Sequence, residues 1–185
     1  MTDRHAFDAA VSALRAGGLI AYPAEAIWGL GCDPDSLAAL QSLIALKRRD
    51  PAKGLILVAG DIAQLEPWLA GLQSLHRRRL AESWPGPNTW LVPDNGRSHP
   101  LLRGEHHSVA LRVSDHPLIV DLCAAFGGPI VSTSANVAGE APALDSESVR
   151  RCFGSAIDVI VDGPLGGHDR PSTIRDLITG EILRA

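Results

Sequence analysis

Residues 54–59 read Gly-Leu-Ile-Leu-Val-Ala, an apolar run that is unbroken and too short for a helix. That pattern predicts a strand covered on both faces, because a half-exposed strand would alternate apolar with polar. Cover of this kind comes from helices, and the chain has the spacing for them. Phe7, Ala10, Val11 and Leu14 predict a helix over 4–16, ended by Gly17-Gly18. Asp33-Pro34 joins an N-cap acceptor to a proline at the first helical position. It predicts a helix to about residue 47, with Leu37, Leu40, Leu43, Ile44 and Leu46 as its apolar face. Further helices are predicted over 62–69, 72–83, 116–126 and 146–153, the last two closed by Gly127 and Gly154. Other strands are predicted at 19–22, 89–92, 108–113, 129–133 and 159–162. The tail, 172–178 and 181–184 around Thr179-Gly180, predicts a hairpin, which argues against a purely parallel sheet. The expected fold class is α/β: a single domain over 1–185, an open twisted mixed sheet with flanking helices.

Composition narrows the class without naming a task. The 185 residues are 45% hydrophobic, enough for a core without disulfide or metal staples. No apolar run reaches the ~20 residues of a membrane helix, so no membrane association is expected. Cys32, Cys123 and Cys152 are odd in number and form no C-x-x-C pair, which points to a reducing cytosol. The first seven residues lack the shape of a signal peptide. A net charge of −4, from 17 basic and 21 acidic residues, excludes a coat for indiscriminate nucleic-acid binding but leaves room for a local basic pocket.

Five polar clusters stand at element ends. In the first, Tyr22-Pro-Ala24-Glu25-Ala-Ile-Trp28-Gly29-Leu-Gly31, the two glycines make half of a dinucleotide-binding pattern, and Pro34 replaces the third. The second, Lys47-Arg48-Arg49-Asp50-Pro51-Ala52-Lys53, either caps a helix dipole or gathers cations on an anionic ligand. The third, Trp84-Pro-Gly-Pro-Asn-Thr89, predicts a stiff type II turn. The fourth, Ser132-Thr-Ser134-Ala-Asn136, ends an apolar strand and either satisfies turn backbone or cradles phosphate oxygens. The fifth, residues 163–173, is a glycine-rich loop ending in Arg170, Ser172 and Thr173. Arg77-Arg78-Arg79 read as the solvated face of a helix, with RNA backbone contact as the alternative. No metal-ligand spacing, serine-nucleophile elbow or phosphate-binding P-loop is present.

In order, YPAEAIWGLGCDPDS, LKRRDPAKGLILVA, WPGPNTWLVP, SVALRVSDHPL, STSAN and PSTIRD resemble the TsaC/YrdC family of threonylcarbamoyl-AMP synthases, in its short single-domain form. The resemblance implies a YrdC-like sheet with a concave surface. It also implies a reaction in which threonine and bicarbonate or CO2 give a carbamate that attacks the α-phosphate of ATP. Threonylcarbamoyl-AMP and pyrophosphate are the implied products, with Mg2+ accompanying ATP. Other proteins, the threonylcarbamoyl transferases, then modify adenosine 37 of tRNAs that read ANN codons. By the same resemblance Lys47 and Arg49, a K-x-R pair, are the catalytic cations, with Lys53 auxiliary. Arg49, Lys53, Arg112, Ser132, Ser134, Asn136 and Ser172 are expected to bind ATP, and Lys47, Thr89 and Ser132 to bind threonine.

One departure is Ala24, where the family usually has threonine after Tyr-Pro. A hydroxyl lost from the amino-acid pocket removes a hydrogen bond worth ~0.5–1.5 kcal/mol. Two other readings accompany the enzyme: an RNA-binding, ribosome-maturation module, and a sister paralogue with a different carbamoyl-type substrate.

Overall fold

The computed structural model describes residues 3–185. In chain order the elements are α1 (Arg4–Arg15), β1 (Ile20–Pro23), β2 (Trp28–Cys32), α2 (Leu37–Leu46) and β3 (Ile56–Ala59). Then come α3 (Glu66–Leu69), α4 (Ser74–Ser83), β4 (Asn88–Pro93), α5 (Pro100–Arg103) and β5 (Ser108–Val113). The remainder is α6 (Pro117–Phe126), β6 (Ile130–Ser134), α7 (Ser146–Phe153), β7 (Val159–Ile160), β8 (Thr173–Asp176) and β9 (Ile182–Arg184). A nine-stranded mixed sheet with flanking helices places the chain in the α/β class, as expected.

The chain folds as two compact units, the first ending at Pro51 and resuming over Ile130–Pro171, the second comprising Ala52–Pro129 and Ser172–Ala185. In the first, β1 pairs parallel with β7 and antiparallel with β2, and β2 pairs antiparallel with β6. Helix α1 packs on β1 and β7, and α2 packs on β2. The core comprises Leu14, Ile20, Leu30, Leu40 and Leu43, all fully buried. In the second unit β3 runs parallel to β5, β5 antiparallel to β4, β4 parallel to β8, and β8 antiparallel to β9. Helix α6 covers β3, and Leu57, Val58 and Leu111 form the interior.

Several expectations are corrected. Helix α2 begins three residues after Pro34, because Ser36 Oγ caps it by accepting from Ala39 N at 3.3 Å. Asp33 Oδ1 instead accepts from Asp35 N at 2.8 Å, a local turn. The helix predicted over 62–69 starts as a 3-10 turn, Ile62–Leu65, before α3. Strand β2 was not expected, since Trp28-Gly-Leu-Gly-Cys32 lacks the usual strand composition. Its glycines follow from packing: Tyr22 pairs with Gly29, and a Cβ on Gly31 would stand 2.8 Å from the Tyr22 ring. These glycines thus admit a tyrosine ring and form no nucleotide loop. The turn at 84–87 departs from type II, for Gly86 has φ 147° where that turn needs about +80°. The C-terminal hairpin forms as predicted. Among the described residues no helix is long and apolar enough to cross a membrane.

Candidate functional site

The K-x-R segment is shaped by the way α2 ends. Arg49 N donates to Ile44 O at 3.0 Å and Arg48 N to Ala45 O at 3.0 Å, a paired closure that demands a left-handed residue between them. Arg48 takes that conformation with φ 48°, the sole non-glycine of positive φ among the described residues. The chain thereby reverses at Lys47, and the helix end meets the loop after β6.

Lys47 is 1% exposed. Its Nζ donates in a short bond to Ser134 O, to Asn136 O at 2.8 Å and to Asn136 Oδ1 at 3.4 Å. The main chain repeats the contact, Ala138 N donating to Lys47 O at 2.8 Å. Burial pushes the ammonium down to about 8; the Arg49 charge acts in the same direction and Cys152 in the other. Burial also lowers the half-buried Arg49 guanidinium, with Asp50 opposing.

Ser134 Oγ donates to Asn136 Oδ1 at 2.6 Å, and Asn136 Nδ2 donates to Val137 O at 3.0 Å and Glu140 O at 2.8 Å. Ser132 lies two residues back on β6, so its side chain shares a face with that of Ser134, beside Gly31 of β2. Ala135 N and Ala143 O bind Trp28 of β2, holding both ends of the loop. A cavity of about 480 Å³ adjoins it, lined by Ala135, Pro142, Leu144, Ser148 and Cys152 among others. The glycine-rich loop is fixed by backbone bonds to the β1–β2 turn: Gly166 N to Ala24 O at 3.0 Å and His168 N to Glu25 O at 3.1 Å.

The second unit holds another cluster. Thr89 is fully buried on β4, with its Oγ1 2.7 Å from Ser172 Oγ. The Arg184 guanidinium of β9 donates to Ser172 O at 2.7 and 3.2 Å. Burial, then the neighbouring Arg112 charge, holds the Arg184 guanidinium below its ordinary value. Arg112 is buried on β5 opposite Val58, whereas Lys53 is exposed in a 3-10 turn.

The structure thus joins Lys47, Ser134 and Asn136, and separately joins Thr89 with Ser172. Arg184 escaped the sequence reading. The signal available was the hairpin, whose register puts position 184 opposite 174 and so near Ser172. Arg77 proves to be tied to Glu66 at 2.9 Å and Arg79 to Leu177 O at 2.6 Å, which leaves Arg78 as the exposed member of that run. Among the described residues no group of three or more His, Cys, Asp or Glu could hold a metal ion.

A mixed sheet with flanking helices and these loops defines a YrdC-type α/β protein, and residues 12–185 match the Sua5/YciO/YrdC family model, described as "Telomere recombination"; the chain belongs to this family. It is 72% identical over 175 residues to a threonylcarbamoyl-AMP synthase of Chromohalobacter salexigens, covering 95% of this chain and 94% of the relative. It is 51% identical over 180 residues to that of Stenotrophomonas maltophilia, covering 96% and 97%. Among solved structures, Sua5 of P. abyssi complexed with L-threonine superposes with TM-score 0.83 at 27% identity. That match covers 92% of this chain and 50% of the Sua5 chain, so the present chain spans about half the length of that protein. E. coli YciO shares the fold with TM-score 0.82 at 23% identity, covering 98% of this chain and 89% of YciO.

Proposed function

We propose that this chain is a threonylcarbamoyl-AMP synthase, acting as one YrdC-like domain. The observation that carries the proposal is its 72% identity, along 95% of its length, to a relative bearing that name. The joining of K-x-R to S-x-N supports it, as does the threonine held by a related structure.

In the reaction the threonine nitrogen attacks the carbon of CO2, supplied by bicarbonate, and loses a proton to give the carbamate. A carbamate oxygen then attacks the α-phosphorus of ATP. The bond from that phosphorus to the β-bridging oxygen breaks, and pyrophosphate leaves with the electron pair. ATP, the carbamate and the threonine carboxylate are anionic, so the protein's work is neutralisation and alignment. Lys47 and Arg49 supply positive potential for the phosphates and the carbamate, assisted by Lys53. Ser132, Ser134 and Asn136 form the polar loop for phosphate and threonine oxygens. Thr89 serves threonine, while Ser172, Arg112 and Arg184 serve the nucleotide. Two guanidiniums kept near one another repel until an anion relieves them, which suits Arg112 and Arg184 to that task. Mg2+ enters with ATP as part of the substrate, held by phosphate oxygens and water. The product is a mixed anhydride and therefore a reactive acyl donor. Its consumer is a threonylcarbamoyl transferase acting on tRNA, which places the protein in the cytoplasm.

The test is pyrophosphate release by purified protein with ATP, threonine, bicarbonate and Mg2+. Release that depends on threonine is expected; release equal to a threonine-free control would overturn the assignment.

A further inference from the structure

Arg175 of β8 is half-buried, and among the described residues its charge meets only the Trp90 ring, 5.9 Å from guanidinium carbon to ring centroid. It makes no hydrogen bond or ion pair, and its Nε is buried without an acceptor. The adjacent carboxylate does not serve it, because Asp176 Oδ1 accepts from Ile178 N and Thr179 N at 2.8 Å each. A buried donor left without an acceptor is unfavourable, so the position favours an oxygen supplied from outside the fold.

The strand register shows what surrounds this guanidinium. Trp90 of β4 and Ile182 of β9 both stand opposite Arg175, so the three side chains share one face of the sheet. Thr89, next to Trp90 on β4, points to the other face, which separates this surface from the Thr89–Ser172 cluster. Strand β9 is the last of the sheet, so one row of its main-chain groups has no strand beside it. Charged side chains usually guard such an edge against pairing. Here the hairpin carries Ile178, Ile182 and Leu183, three of the six exposed large hydrophobics among the described residues.

We propose that β9 and Arg175 form a docking edge for an extended acidic segment of another protein. The segment adds a strand to β9 and lays a carboxylate on the Arg175 guanidinium. Charge selects this occupant over a second copy of the chain, since two paired β9 strands would gather Arg175 and Arg184 of both copies at one seam. The exposed isoleucine and leucine side chains suit the alternating side chains of a peptide better than a phosphate backbone. The proposal is independent of the synthase reading, which uses neither Arg175 nor Ile182.

The probe is a fluorescein-labelled peptide, Val-Glu-Val-Glu-Val-Glu, with Val-Lys-Val-Lys-Val-Lys as its control. Anisotropy at about 50 mM KCl is expected to show saturable binding of the acidic peptide with Kd below ~1 mM, and binding of the lysine peptide at least ~10-fold weaker. Arg175→Gln is expected to weaken the acidic peptide ~10-fold or more. Ile182→Glu places a carboxylate opposite Arg175 within the chain and is expected to block the acidic peptide. Position 182 is exposed, so this second variant decides the matter should Arg175→Gln fail to fold. Equal affinity for the two peptides, no saturable binding up to ~1 mM, or binding unchanged by the substitutions would overturn the proposal. A short single-stranded RNA that binds through Arg175 where the acidic peptide does not would overturn it in favour of a nucleic-acid edge.

Discussion

At the scale of the residue, charge type and protonation decide the outcome. Arg49 offers a planar fork that can grip phosphate with two bonds, and lysine offers a point charge. Arg49→Lys is therefore expected to lower kcat/KM ~10- to 100-fold, measured by pyrophosphate release. Arg184 bonds Ser172 O and stands near Arg112. Arg184→Ala is expected to raise KM for ATP about 10-fold, and a KM unchanged within ~2-fold would remove it from the nucleotide side. Two buried groups also set a pH dependence. Lys47 titrates near pH 8 when folded and near ~10.4 when unfolded, so between these values the unfolded chain binds more protons. Stability from this residue rises with pH across that window, by at most ~1.4 kcal/mol per unit, and is lost as pH falls through about 8. Burial pushes the Cys32 thiol up to about 12, with Asp33 adding to the shift. Cys32 thus acts oppositely, since the unfolded thiol ionises first and stability falls with pH above ~8.5. The wild-type curve mixes both. Urea midpoints at pH 8, 9 and 10 for wild type and Lys47→Met isolate the lysine limb, which the variant is expected to lack.

At the scale of the element, the end of α2 gives a stability prediction. Arg48 occupies a left-handed position that glycine adopts without steric penalty. Arg48→Gly is expected to raise stability by ~0.5–1 kcal/mol, a shift of about 1–4 °C in Tm by calorimetry. A lowered Tm would mean that the Arg48 side chain stabilises the turn more than its backbone strains it. The same turn shows what sequence could and could not disclose. Periodicity located α2, and the K-x-R segment fell at its end. A helix closure usually calls for glycine, so with arginine there the chain reversal was invisible. Strand β2 was hidden for a related reason: its glycines are explained by the Tyr22 ring, a neighbour across the sheet. The early helix start read from Asp33-Pro34 lost to Ser36, a competing cap three residues on. Lys47 and Asn136 were legible as polar residues at element ends, but their hydrogen bonds depend on a fold joining positions 89 apart. Arg184 depended on hairpin register rather than on any motif.

At the scale of the whole molecule, net charge separates the enzyme from the RNA-binding alternative. The chain carries −4, and its most basic helical run is partly used internally, Arg77 by Glu66 and Arg79 by a main-chain carbonyl. A polyanion is attracted by the summed field, whereas a nucleotide responds to the few cations within its reach. Nonspecific nucleic-acid binding by basic proteins has Kd values around 10⁻⁴ to 10⁻⁶ M at physiological salt. This acidic chain is expected to bind bare tRNA more weakly than ~100 µM at about 150 mM KCl, by anisotropy with labelled tRNA. ATP affinity, on the proposal that a few local groups such as Arg49 and Arg184 set it, is expected to change no more than ~5-fold between about 50 and 300 mM KCl. Tight tRNA binding at the higher salt, with no saturable ATP binding, would reverse the order of the two readings. The two titrations bear on the same cations from opposite ends. An anion a few ångströms across samples Arg49 or Arg184 alone, whereas a tRNA also meets the 21 carboxylates that outnumber the 17 bases. Its attraction to any basic patch is therefore offset by repulsion over the remaining surface, and added salt weakens both.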